Sequence, residues 1–190
     1  NYIYQKKSEL VPTGTCLILI TPDSERTMCT FLGIAGRINE TDVNELQIKN
    51  ADFTFLEGYL WDEGEPKKAF DKAISYSKKT AMSLSDKFCV DRHKKNFLDL
   101  VKHKIDIVFS NEQEILSLID SQNFNDAITF AKNIKKNLII TRGNKGAISI
   151  NKSGVFECNA KENLNIKDLT GAGDLFAAGY LHGVINNLSI

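Results

Sequence analysis

Four apolar runs, DFTFLEGYL, TAMSLSD, KIDIVFS and NLIITR, alternate with helical stretches, and this alternation restricts the fold more than any other feature. The helical stretches run from Glu65 to Lys79, from around Asp91 to Lys102, near Glu112–Ile119 and over Asn125–Lys135. A strand, a helix and a second strand form a βαβ unit, whose strands lie parallel while the helix covers one face. The runs are near-continuously apolar rather than alternating, as strands in a sheet covered on both faces must be. A last pair of runs, in GAISINKSGVFEC, reads as a hairpin. The expected fold is α/β: three layers around a mostly parallel central sheet.

Ahead of this core, TCLILIT (Thr15 to Thr21) is bounded by Gly14 and Pro22, and the turn PDSE leads into RTMCTFLG. Two β-rich runs joined by a Pro-Asp-Ser turn predict a β-hairpin, expected as a small flap beside the core. TDVNELQIKN then predicts a helix start, with Thr41 as cap and Asn44 and Glu45 in the first turn. The expectation is one domain over 1–190, with a lid-like hairpin at about 12–36 and the α/β core over 50–190.

Formal net charge is zero, from 24 basic and 24 acidic residues. That balance gives no electrostatic reason to expect nucleic acid or an anionic membrane as partner. Lys94-Lys95 and Lys135-Lys136 read as solvated helix faces. The longest apolar run, near Cys16 to Ile20, is far shorter than a membrane span. Cysteines stand at 16, 29, 89 and 158, never as CxxC, and histidines 93, 103 and 182 form no recognisable ligand spacing with them. Structural zinc is therefore not expected, and a reducing, cytoplasmic setting is. The first residues, NYIYQKKSEL, carry neither an initiator methionine nor a signal-peptide pattern, and both ends are expected to be cuts in a longer chain.

The most telling stretch is DLTGAGDLFAAG, Asp168 to Gly179. In open α/β sheets, ligands gather at the carboxyl ends of strands, where loops enter helix N-termini. Such a terminus offers unpaired amides and partial positive charge, together an anion site. Gly171 and Gly173 lack the Cβ atoms that would hold an anion off those amides, so Gly171-Ala172-Gly173 suits a phosphoryl oxyanion. Asp174, in the first helical turn, could then act as base towards an alcohol beside that phosphate. The alternative is structural: Thr170 caps the helix and Asp174 favours its positive end.

The stretch resembles the C-terminal signature of the PfkB, or ribokinase-like, carbohydrate and nucleoside kinases, Asp-Thr-x-Gly-Ala-Gly-Asp. Asp168, Gly171, Ala172, Gly173 and Asp174 match, and Leu169 replaces the first threonine. The resemblance implies that Asp174 is the catalytic base, that Gly171 to Gly173 form an anion hole, and that Asp168 and Thr170 support them. SNEQE is similar to the family's Asn-x-x-Glu motif, implying that Asn111 and Glu114 order Mg²⁺, its waters and phosphate; a helix cap is the alternative. TRGNKGA resembles the Thr-x-Gly-x-x-Gly segment that borders ATP, through Thr141, Gly143 and Gly146; a tight turn is the alternative. GTCLILITPDSERTMCTFLGIAG and EGYLWD resemble the adenosine-kinase-like and sugar-kinase-like branches. On that likeness the hairpin lies by the substrate, and Arg26 is a candidate substrate or phosphate contact. Asp62 and Asp86, each just past a strand, are further pocket candidates, with helix capping as the alternative.

The resemblance implies a ribokinase-like fold and transfer of the γ-phosphoryl of ATP, with Mg²⁺ and optionally a monovalent cation, to a hydroxyl of a nucleoside or sugar. Adenosine is the preferred acceptor, then ribose or fructose, in a monomer or homodimer. A regulatory module that binds nucleotide or sugar without turnover is the alternative. A dinucleotide-dependent oxidoreductase is set aside, because no G-x-G-x-x-G follows an early strand. Family members carry an N-terminal Gly-Gly substrate motif that has no counterpart in these residues, so the chain by itself is expected to be a poor catalyst.

Overall fold

The structure, a computed structural model, describes residues 10–62 and 64–188. It begins with an antiparallel ribbon of β1 (Thr15–Ile20) and β2 (Arg26–Phe31), then a short helix α1 (Glu45–Asn50). β3 (Thr54–Glu57), α2 (Pro66–Tyr76), β4 (Thr80–Ser83), α3 (Lys87–Asp99) and β5 (Ile107–Asn111) follow. Then come α4 (Glu112–Leu118), α5 (Phe124–Ile134), β6 (Asn137–Thr141), β7 (Ala147–Asn151), β8 (Gly154–Cys158) and α6 (Ala172–Ile185).

The main sheet holds six strands in sequence order, β3 to β8; β3–β6 pair in parallel, β7 and β8 antiparallel. Parallel crossovers are almost always right-handed, so a run of them stepping one way sets every crossover helix on one face. The packing follows. Leu56, Met82, Val108, Leu138 and Ile140 turn to the helices α2–α5, forming the larger core with Phe70, Phe97, Ile115 and Ala131. Their immediate neighbours Ala81, Ile107, Phe109 and Ile139 turn the other way and pack with Ala177 of α6. This period-two sorting is why the strands read as unbroken apolar runs. The ribbon differs: both of its strands are exposed along their whole length, Leu17 at 62%.

Two helix starts depart from expectation. Asn44, not Thr41, caps α1, its Oδ1 accepting from the Gln47 amide at 3.1 Å. The Thr41 hydroxyl instead donates to Asn39 Oδ1 at 2.6 Å, inside a separate 3₁₀ turn. α3 starts at Lys87 rather than around Asp91, because Asp86 Oδ1 accepts from the Cys89 amide at 2.6 Å and caps the earlier turn. α3 is kinked at His93 (φ −117°, ψ 17°) and ends in a π turn over Leu100–Lys104.

The same helix supplies a paired test of the core. Phe97 is fully buried with its ring edge-on to Trp61 at 5.8 Å, whereas Phe88 is 71% exposed. Phe97→Ala should cost about 3–5 kcal/mol in urea unfolding, and Phe88→Ala no more than about 0.5 kcal/mol.

Candidate active site

In-register parallel strands place their last residues side by side. Glu57 stands opposite Ser83, and Asn111 opposite Thr141. Asn111 is at once the last residue of β5 and the cap of α4. Its Oδ1 accepts from the Glu114 amide at 2.8 Å, while Glu114 Oε2 accepts from the Asn111 amide at 2.9 Å and Oε1 from Asn111 Nδ2 at 2.6 Å. This is a capping box, so the helix-cap alternative for Asn-x-x-Glu is realised in the geometry. Yet Glu114 is only 5% exposed. Burial pushes its carboxyl up to about 7 against the opposing bonds from Asn111, and the charges of Asp86 and Glu57 push the same way.

Glu57 is the residue that sequence reasoning passed over. Its carboxylate accepts from the Ser85 hydroxyl, which in turn accepts from the Tyr59 amide at 3.2 Å. Burial raises the Glu57 carboxyl despite the Ser85 bond, and the charge of Asp174 raises it further. An acid closing an apolar strand just before a glycine, as in LEGY, was the available signal. Gly58 suits this close packing, since a Cβ there would lie 2.9 Å from Ser85 Oγ and 3.0 Å from the Leu84 carbonyl. The two aspartates read as pocket candidates separate: Asp86 caps α3 and is felt by Glu114, while Asp62 pairs with Arg92 and His93.

Thr141 to Gly146 form a tight turn between β6 and β7, with a 3₁₀ turn over Gly143–Lys145 and the Arg142 amide donating to the Gly146 carbonyl at 2.8 Å. Gly146 (φ +84°) is obligatory, because a Cβ would come within 2.0 Å of the Cys158 carbonyl oxygen. Arg142 packs over the Phe124 ring at 4.0 Å and donates to Glu112 at 3.1 Å, fastening the turn beside the start of α4. Asn111, Glu114 and Thr141 are thus brought together. Among the described residues no hydrogen bond joins this turn to Gly171–Asp174.

At α6 the cap is Gly171 in the left-handed region (φ +75°, ψ 5°), with no side-chain bond, so Thr170 is not the cap. The Thr170 side chain first, then its amide, which donates to Asp168 Oδ1 at 2.8 Å, and the more distant charge of Arg26 hold the Asp168 carboxyl low against a small opposing effect of burial. The Ala172 amide is used by the Leu169 carbonyl at 3.2 Å, which removes it from any anion site. The amides of Gly173 and Asp174 have no partner among the described residues. Asp174 is exposed and lies within electrostatic range of Glu57. Arg26 is carried here by the ribbon, whose Ser24 hydroxyl donates to the Ile166 carbonyl at 2.7 Å. The arrangement joins free amides at a helix start, an exposed carboxylate beside them and a crowd of acids at the adjoining strand ends.

A carboxyl raised by burial favours the fold while protonated. The contribution of Glu114 is therefore complete below its ordinary value of 4.5 and is lost as pH rises through about 7. Relative to Glu114→Gln, the parent protein should lose on the order of 2–3 kcal/mol of stability across that window in urea unfolding; curves that stay parallel would remove this account.

The likeness to known proteins lies in family and fold. The profile described as pfkB family carbohydrate kinase matches residues 1–190. Adenosine kinase of Dictyostelium discoideum is 27% identical, the match covering 98% of this chain and 60% of that protein. The chain thus spans about 60% of the length of that curated relative. A probable sugar kinase from Rhizobium etli superposes with TM-score 0.91 at 36% identity, covering 97% of this chain and 58% of the other. Adenosine kinase from Sinorhizobium meliloti gives 0.89 at 35%, covering 94% and 56%. The fold is ribokinase-like, and the chain belongs to the pfkB family of carbohydrate kinases.

Proposed function

We propose that this chain carries the phosphate-handling part of an ATP-dependent kinase that moves the γ-phosphoryl to a hydroxyl of a nucleoside or sugar, adenosine first. The observation that carries this reading is the start of α6, where partnerless amides of Gly173 and Asp174 stand beside the exposed Asp174 carboxylate. Asp174 takes the acceptor's hydroxyl proton, the acceptor oxygen forms its bond to the γ-phosphorus, and the bond to the β–γ bridging oxygen breaks to release ADP. The amides hold the charge on the phosphoryl oxygens throughout. In this reading the anion hole is formed by the Gly173 and Asp174 amides, with Gly171 shaping the turn. Thr141, Gly143 and Gly146 border the nucleotide, and Arg26 and Asp168 flank the acceptor side.

The donor set fits a hard divalent cation. The charges of Glu57 and Asp86 act on Glu114, and both Glu114 oxygens already accept from Asn111, so Glu114 would hold a bound cation through the cation's water. Mg²⁺ bound there would neutralise the phosphate charge. A sugar acceptor is the second reading, favoured by the 36% identity to the probable sugar kinase.

ADP release by the complete protein, with Mg-ATP and a panel of adenosine, ribose and fructose, tests the reading and names the acceptor. Asp174→Asn should lower turnover by roughly 10²–10⁴-fold while ATP binding survives. No release with any acceptor, from folded protein that binds ATP, would establish a binding module instead. Gly173 offers a separate check, because a Cβ there meets nothing within 4 Å. Gly173→Val should leave the fold intact and reduce turnover at least about 100-fold by occupying the anion's place.

A further inference from the structure

Away from the phosphate site, a second cluster of chemically capable side chains joins the turn after β3 to α3. Cys89 and His93 are four residues apart, a spacing that puts both on one helix face. Asp62 reaches them from the end of the 3₁₀ turn Gly58–Trp61. One ligand atom from each of the three lies within 4.8 Å of the others. His93 Nε2 is 2.7 Å from Asp62 Oδ1, and the buried Cys89 thiol donates to the Gly58 carbonyl at 3.1 Å. The kink of α3 falls at His93 itself.

We propose that Asp62, Cys89 and His93 bind a thiophilic divalent cation, Zn²⁺ foremost. One sulfur, one imidazole nitrogen and one carboxylate oxygen form a borderline-soft donor set that zinc accepts and that Mg²⁺ passes over. Zinc bonds of about 2.0–2.3 Å place tetrahedral donors roughly 3.3–3.7 Å apart. Donors within 4.8 Å of one another therefore close by about 1.5 Å at most, while the 2.7 Å Asp62–His93 pair opens by about 0.6 Å or more, leaving the fourth position to water. On binding, the zinc–sulfur bond replaces the sulfur–hydrogen bond, and the proton leaves to solvent.

Arg92 is the competitor. Its Nε and Nη2 hold Asp62 Oδ1 and Oδ2 at 2.9 and 2.7 Å, so a cation already occupies this carboxylate. The Arg92 side chain is half exposed and can swing into water when a divalent ion takes its place. The competition gives the proposal a signed test that a purely structural ion pair does not share.

The experiment is titration of the complete, reduced protein with Co²⁺, following the thiolate-to-cobalt charge-transfer band, and then displacement by Zn²⁺ against a chromophoric chelator. One equivalent should bind with the band present. Cys89→Ser should abolish the band, His93→Gln should weaken binding by more than about tenfold, and Arg92→Gln should tighten it. A protein with Cys16, Cys29 and Cys158, which are all exposed, changed to serine should keep the band. Absence of stoichiometric binding by folded protein, a band that survives Cys89→Ser, or affinity unmoved by His93→Gln and Arg92→Gln would each overturn the proposal. Should Cys89→Ser fail to fold, the His93 and Arg92 variants decide. None of these readouts depends on kinase activity.

Discussion

Parallel strands in register all finish on one side of the sheet, and the ladder from β3 to β6 turns that geometry into chemistry. Glu57, the Ser83–Asp86 segment, Asn111 and Thr141 are scattered over more than eighty positions in sequence, yet they form one rim. No local interaction could assemble them. The ladder does so because alternate residues of each strand are locked into opposite cores, and a slip by one position would turn every apolar side chain to the wrong face. The rim is therefore as rigid as the packing of Met82, Val108 and Leu138 beneath it.

The rim also gathers negative charge that the described residues do not neutralise. Glu114 shows the tension directly: its two oxygens satisfy the start of α4, while burial and two neighbouring acids oppose its ionisation. Capping and the proposed cation-holding are not rival roles. The capping box fixes the carboxylate's direction, and a cation placed beside it would offset the charge that burial and the neighbouring acids oppose.

Much of this was legible beforehand. The apolar runs gave strands because the sheet is covered on both faces, and the glycines of TGAGD placed a helix start at α6. What escaped was whatever tertiary structure alone brings together. Glu57 closes a strand as any polar residue might, and only the fold sets it beside Ser85 and within range of Asp174. Cys89 and His93 do stand four apart in sequence, but the partner that turns them into a cluster, Asp62, comes from a different crossover. Thr41 suits a cap by residue type, but Asn44 sits one position before the helix and Asn39 claims the Thr41 hydroxyl.

The ribbon of β1 and β2 has another meaning once its burial is considered. Two strands exposed on both faces have almost no core of their own, and an isolated pair is marginally stable in water. Among the described residues, its tie to the loop before α6 is a single hydrogen bond, from Ser24 to Ile166. The ribbon's order is thus borrowed from whatever lies against it. On the proposed reading, a ligand held by Arg26 would supply that ordering free energy, so part of its intrinsic affinity would be converted into the positioning of Arg26.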